Sequence, residues 1–266
     1  MADFTAKDVQ ALRQATGAGM MDAKKALQET EGDFEKAKKV LREKGLAKAS
    51  DRDQRENAQG AIALATGEGT AALVELKCET DFVAKSDRFV DLTQRLADAV
   101  AAKGEGAVGD FKDDIDDLKV TLKENIDVGR TVHVELGSGQ ALGTYLHRQE
   151  GRGVNGVLVV LEGGDDELAH DVAVHVAFAK PDFLTRDEVP GNQVADERET
   201  LLKLTKAEGK PEAAWDKIVE GRLTGWYKER VLLDQPFVRD EKQSVAQLVS
   251  SSGASLVRFG QLFIGG

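Results

Sequence analysis

One cysteine, Cys78, stands in a chain of 266 residues. A single thiol closes no internal disulfide, so nothing in the sequence asks for an oxidising compartment. Aromatic residues are scarce, at 5%, and the expected core is therefore aliphatic and alanine-rich. No run approaches the ~20 apolar residues of a membrane-spanning helix. The first ten residues carry Asp3, Lys7 and Asp8 where a secretory signal would be apolar. The expectation is a cytoplasmic protein with no membrane contact. No GxxxxGK[ST] segment occurs, which excludes a Walker-type phosphate loop. The GxGxxG match at 151–156 runs into the apolar stretch 157–161 and not into a helix, so it reads as a glycine-rich hairpin turn.

Ligand and catalytic sets fail in the same way. His170 and His175 are five apart, which turns them about 140° from each other on a helix. His133 and His147 lack cysteine or paired carboxylate neighbours, so no metal site is expected. Asp113, Asp114, Asp116 and Asp117 lack the glycine and terminal glutamate of a calcium loop and read as a solvated helix face. Cys78 lies on the inward side of an alternating segment, as a small buried hydrophobe does. The competing reading of Cys78, a nucleophile served by a distant histidine, would make the chain a hydrolase. No catalytic residue and no cofactor is expected.

What is present is charge, at 31% of residues, with a formal net of -11. Residues 1–48 hold ten Lys/Arg against eight Asp/Glu, which leaves -13 for the remainder. An acidic body does not neutralise phosphates, so direct nucleic-acid binding is not expected. The head reads as three short helices. A Thr5–Asp8 capping box precedes Val9 and Leu12; Thr16-Gly17-Ala18-Gly19 breaks the chain; Met20, Ala23 and Leu27 mark the second helix. Gly32-Asp33 caps a third with Phe34, Ala37, Val40 and Leu41, closed at Gly45. Residues 48–60 hold no large apolar residue and read as a linker.

Two strands, 61–66 and 71–78, flank a Gly67-Glu68-Gly69 turn, with Ala72, Val74, Leu76 and Cys78 on one face. A helix with the stripe Phe89, Leu92, Leu96 and Val100 follows. Next come an acidic helix near 110–124, strands near 129–136, 141–148 and 157–161, and a helix at 168–179. Val194, Leu201 and Leu204, then Trp215, Val219, Leu223 and Trp226, outline a helical hairpin over 188–232. A short helix at 245–249 and a strand near 256–264 end the chain. The predicted fold class is α+β. The predicted domains are 1–50, a linker at 51–59, a core N-subdomain at 60–140, a core C-subdomain at 141–187 and 233–266, and the hairpin inserted in the latter.

Two segments are specific. One is Leu12-Arg13, Thr16-Gly17-Ala18-Gly19-Met20-Met21-Asp22-Ala23-Lys24-Lys25-Ala26-Leu27, Gly32-Asp33 and Leu41-Arg42-Glu43-Lys44-Gly45. The other is Cys78-Glu79-Thr80-Asp81-Phe82-Val83-Ala84-Lys85. With Tyr145-Leu146-His147, His175-Val176-Ala177, Lys180-Pro181, Gly209-Lys210-Pro211 and Gln235-Pro236-Phe237 in order, the chain closely resembles the bacterial elongation factor Ts family along nearly its whole length. The resemblance implies an N-terminal three-helix module similar to ubiquitin-associated domains, and a two-subdomain α+β core with antiparallel sheets and an inserted helical hairpin. It implies a nucleotide-exchange factor that binds the GDP form of elongation factor Tu, releases GDP and lets GTP bind.

By the same resemblance, Thr80, Asp81, Phe82 and Val83 form a wedge that enters beside the partner's nucleotide site and helps dislodge Mg²⁺. Leu12, Met20, Met21 and Lys24 form the module's contact with the partner, and His147 a contact near the partner's phosphate loop. Two departures stand out: Ala23 where many members have cysteine, and Lys123 where glycine is usual before Glu124-Asn125-Ile126. The residues alone leave other readings open. Asp81 fits an N-cap, Phe82 fits an extension of the Phe89 stripe, and His147 fits an ordinary strand histidine. The rival function is an adaptor that uses the module to bind a peptide or a ubiquitin-like surface.

Overall fold

The computed structural model describes residues 4–50 and 52–265, with the side chains of 46–50 outside that description. Two compact units emerge. The first holds residues 1–135, 146–155 and 262–266; the second holds 136–145 and 156–261.

In the first unit, α1 (Ala6–Thr16), α2 (Met20–Glu29) and α3 (Phe34–Ser50) form the N-terminal module. The capping box is realised: the Asp8 carboxylate accepts the Thr5 N–H at 2.7 Å, and the Thr5 hydroxyl accepts the Asp8 N–H. Gly17 ends α1 at φ 65°, a conformation that costs glycine nothing. Val9, Leu12, Ala23, Ala26, Leu27, Ala37 and Leu41 make the module's core. The third helix does not stop at Gly45. It runs to Ser50, and Gly45 serves a close approach instead, since a Cβ there would lie 2.6 Å from a Val120 methyl.

β1 (Gln59–Gly67) and β2 (Thr70–Cys78) pair antiparallel in register from Gln59↔Cys78 to Gly67↔Thr70. A four-residue helix, α4 (Asp81–Ala84), precedes α5 (Asp87–Lys103) and α6 (Lys112–Leu122). β3 (Asp127–Glu135) then adds antiparallel to β2. Period-2 alternation sends Ala72, Val74, Leu76 and Cys78 to the α5 side, where Phe89, Leu92, Leu96 and Val100 meet them. Ile115 and Leu118 of α6 close the same core. The acidic run on α6 is not simply solvated: Asp113 accepts from Arg42 at 2.8 Å, Asp114 pairs with Arg95, and Asp116 with Lys112.

β4 (Gln140–Gln149) and β5 (Arg152–Glu162) are joined by a turn at Glu150 and Gly151, both at positive φ. Of the glycines at 151–156 only Gly151 lies in the turn; Gly153 and Gly156 fall inside β5, where Gly153 lies opposite Ile62 of β1.

In the second unit, β5 continues between β4 and a last strand. The helix α7 (Asp166–Ala179) packs Ala169, Val172, Ala173 and Val176 onto Val157, Val159 and Leu161. Asp165 caps α7, its carboxylate accepting the Leu168 N–H at 2.8 Å. α8 (Gly191–Ala207) and α9 (Trp215–Arg230) form the helical hairpin, packed through Leu201, Val219 and Leu223. Leu204 is half exposed and contributes nothing to that seam, where Thr205 is buried instead. Two ion pairs tie the hairpin's base, Asp182–Arg230 at 3.0 Å and Arg186–Asp234 at 2.7 Å. β6 (Pro236–Phe237), β7 (Asp240–Ser244), α10 (Val245–Ser251) and β8 (Ser255–Phe263) complete the chain, with β8 paired to β5.

His170 and His175 part company as their spacing predicts. The His170 Nδ1 lies 2.8 Å from the Thr144 carbonyl oxygen near the surface. His175 is buried: its Nδ1 accepts the Val238 N–H, so its Nε2 carries the proton and donates to Gln235 Oε1 at 2.9 Å. Burial holds its pKa below the usual histidine value. No helix among the described residues is long and apolar enough to cross a membrane.

Candidate partner-binding site

The site residues expected at 80–83 occupy the connection from β2 to α5. Cys78 ends β2 fully buried, donating its thiol to the Thr80 carbonyl oxygen at 3.2 Å. Burial pushes its pKa up to about 12, so it is a thiol and no nucleophile at neutral pH. Thr80, and not Asp81, is the N-cap of α4: its hydroxyl accepts the Val83 N–H at 3.3 Å. The Asp81 carboxylate instead accepts from Lys85 Nζ at 2.6 Å, four residues on. This hydrogen bond holds Asp81 below the usual carboxylate range and Lys85 above the usual lysine value. Lys85 also pairs with Glu150 in the β4–β5 turn. Val83 is half-buried against the first unit's core.

Phe82 points the other way and is 83% exposed, whereas Phe89 is 0% exposed. The stripe reading of Phe82 therefore fails, because the chain breaks between α4 and α5 at Lys85 and Ser86 and the two rings do not share a helix face.

A second carboxylate holds the same segment from behind. Glu124 Oε2 accepts the Glu79 and Thr80 N–H groups at 3.0 and 3.1 Å, and its Oε1 accepts the Thr80 hydroxyl at 2.5 Å. In return, Glu79 Oε1 accepts the Asn125 N–H at 2.7 Å. The Asn125 side chain donates to the Arg55 carbonyl oxygen at 2.8 Å. Lys123, where glycine was the expected residue, takes the left-handed conformation at φ 62° that ends α6 and turns the chain into Glu124. Sequence reading missed Lys85, Glu124, Glu150 and Arg152. Only the Asp81–Lys85 spacing of four was a local signal. Arg152 is buried and donates to the Gly60 carbonyl oxygen at 2.6 Å.

The remaining expected residues divide by exposure. Met20 is 49% and Met21 62% exposed at the start of α2, and Lys24 is exposed one turn on. Leu12, expected beside them as a contact, is fully buried in the module's core. His147 is exposed on β4, three residues before the Glu150 that pairs with Lys85.

A family model described as elongation factor TS matches residues 79–266. Elongation factor Ts of Lactiplantibacillus plantarum is 44% identical over 97% of this chain and 92% of its own. The factors of Renibacterium salmoninarum and Saccharopolyspora erythraea are 41% and 43% identical over the whole of this chain, and over 100% and 99% of their own. The chain belongs to the elongation factor Ts family. It is a translation elongation factor of mixed α+β fold, with antiparallel sheets and an N-terminal helical region. The expected wedge residues fall inside the matched span, and the N-terminal module precedes it.

Proposed function

We propose that this chain is a guanine-nucleotide exchange factor without a catalytic site of its own. It binds the GDP form of elongation factor Tu, promotes GDP release with dislocation of the partner's Mg²⁺, and lets GTP bind. The observation that carries the reading is Phe82, a large apolar side chain left 83% exposed on a helix of four residues. Such a ring on an otherwise charged surface suits insertion into a partner.

An exchange factor needs no nucleophile or acid. It must bind the nucleotide-free partner better than the nucleotide-bound one, and the coupling is reciprocal. Moving a population from 1:99 to 99:1 takes roughly 5.5 kcal/mol of differential affinity. In this reading Phe82 and Asp81 meet the elements around the partner's Mg²⁺, with Thr80 and Val83 as their mount. Met20, Met21 and Lys24 give affinity from the module at 1–50, Leu12 supports them from beneath, and His147 adds a contact near the phosphates. The proposed setting is the cytoplasm, with a protein partner and neither nucleic acid nor membrane. Stopped-flow release of a fluorescent GDP from elongation factor Tu tests the reading. Release accelerates with added chain, and excess GDP weakens capture of elongation factor Tu by the immobilised chain. Unchanged release at saturating chain refutes it.

A further inference from the structure

We infer that Glu124 is a positioning residue for Phe82, fixing the short helix that presents the ring. A four-residue helix has no stability of its own, because the cost of nucleation is recovered only over many more residues. The conformation of α4 must therefore be imposed from outside. Its cap is the Thr80 hydroxyl, which has one proton and rotates freely unless that proton is engaged. Glu124 Oε1 takes the proton at 2.5 Å, which leaves a lone pair for the Val83 N–H at 3.3 Å. Oε2 of the same carboxylate takes the two backbone donors that follow β2, from Glu79 and Thr80. These bonds involve an ionised acceptor and are the stronger kind.

Glu124 lies 44 residues from Thr80 in sequence, so the clasp joins two segments that local structure does not connect. On the far side Lys85 holds Asp81 at 2.6 Å. Glu79, Thr80, Asp81 and Val83 are thus each tied to other parts of the protein, while the Phe82 ring is presented outward. A ring held in place before contact spends less binding energy on ordering.

The inference rests on the exchange reading of Phe82, and its test separates the two. Full-length Glu124→Ala, Phe82→Ala and the double variant are compared by stopped-flow GDP release from elongation factor Tu across factor concentration, with thermal unfolding measured on each. Glu124→Ala lowers the maximal release rate by roughly ten-fold or more, the scale of a hydrogen bond to a charged group. It adds little once Phe82 is already alanine. A role confined to overall stability would lower the folded fraction and would not depend on whether the ring is present. Thr80→Ser keeps the rate and Thr80→Val loses it. A folded Glu124→Ala with a normal maximal rate overturns the inference, as do losses that multiply independently in the double variant. If Glu124→Ala does not fold, the Thr80→Val and Thr80→Ser pair in the same cycle decides by the same criteria. A normal rate for Phe82→Ala itself refutes the exchange reading of that residue, and the inference with it.

Discussion

Truncating Phe82 to alanine separates a partner-facing ring from a core ring by magnitude. At 83% exposure the ring has little buried surface to lose, so the expected stability change is within ~0.5 kcal/mol, the range of ordinary surface substitutions. Phe89, at 0% exposure in the core, is the internal control. Its truncation costs ~3–5 kcal/mol and lowers the unfolding midpoint by on the order of 10 °C. Burying the Phe82 ring in a partner is worth ~1.5–3 kcal/mol, a factor of roughly 10 to 150 in differential affinity. The full exchange of states asks for roughly 5.5 kcal/mol, so one ring supplies up to about half. Phe82→Ala should therefore slow factor-stimulated GDP release by roughly one to two decades without abolishing it. The assay is stopped-flow release of a fluorescent GDP, normalised to the folded fraction from thermal unfolding. A Phe82→Ala variant that melts like Phe89→Ala, with normal release per folded molecule, would refute the reasoning.

Three further outcomes follow from single side chains. Cys78, pushed up to about 12 by burial, resists alkylation by iodoacetamide in the native protein at pH 8 and reacts on unfolding; Cys78→Ala keeps exchange and costs about 1 kcal/mol. Lys123→Gly relieves a left-handed lysine at φ 62° and raises stability by ~1 kcal/mol or less, read from urea midpoints, with exchange unchanged. His175 is buried with its pKa lowered, so the unfolded chain takes up its proton first as pH falls. Its contribution is fully present above pH ~6.5 and is lost below, down to its folded pKa. His175→Gln flattens the stability profile in that window, and an unchanged slope would show that other groups set it.

Much of the fold was legible because periodicity is local. The Thr5–Asp8 box, the Gly17 break, the alternation along β2 and the Phe89 stripe each state which side of an element is apolar, and burial followed. Local pattern was silent on which element approaches which. Gly45 looked like a helix stop and is the point where Val120 packs close. Leu12 belongs to a motif expected to touch a partner and is sealed inside the module.

By itself the sequence determined the element types, the inward faces, the core filler Cys78 and the family. Tertiary structure decided which of two plausible environments Phe82 occupies, because seven residues separate it from Phe89 whether or not the helix is continuous. It also decided what holds Phe82 there. The Glu124 clasp pairs a carboxylate with donors 44 and 45 residues away, and no spacing rule records such a pair. Side-chain periodicity extends only as far as one helix or strand, while a hydrogen bond between segments exists only once the chain has brought their ends together.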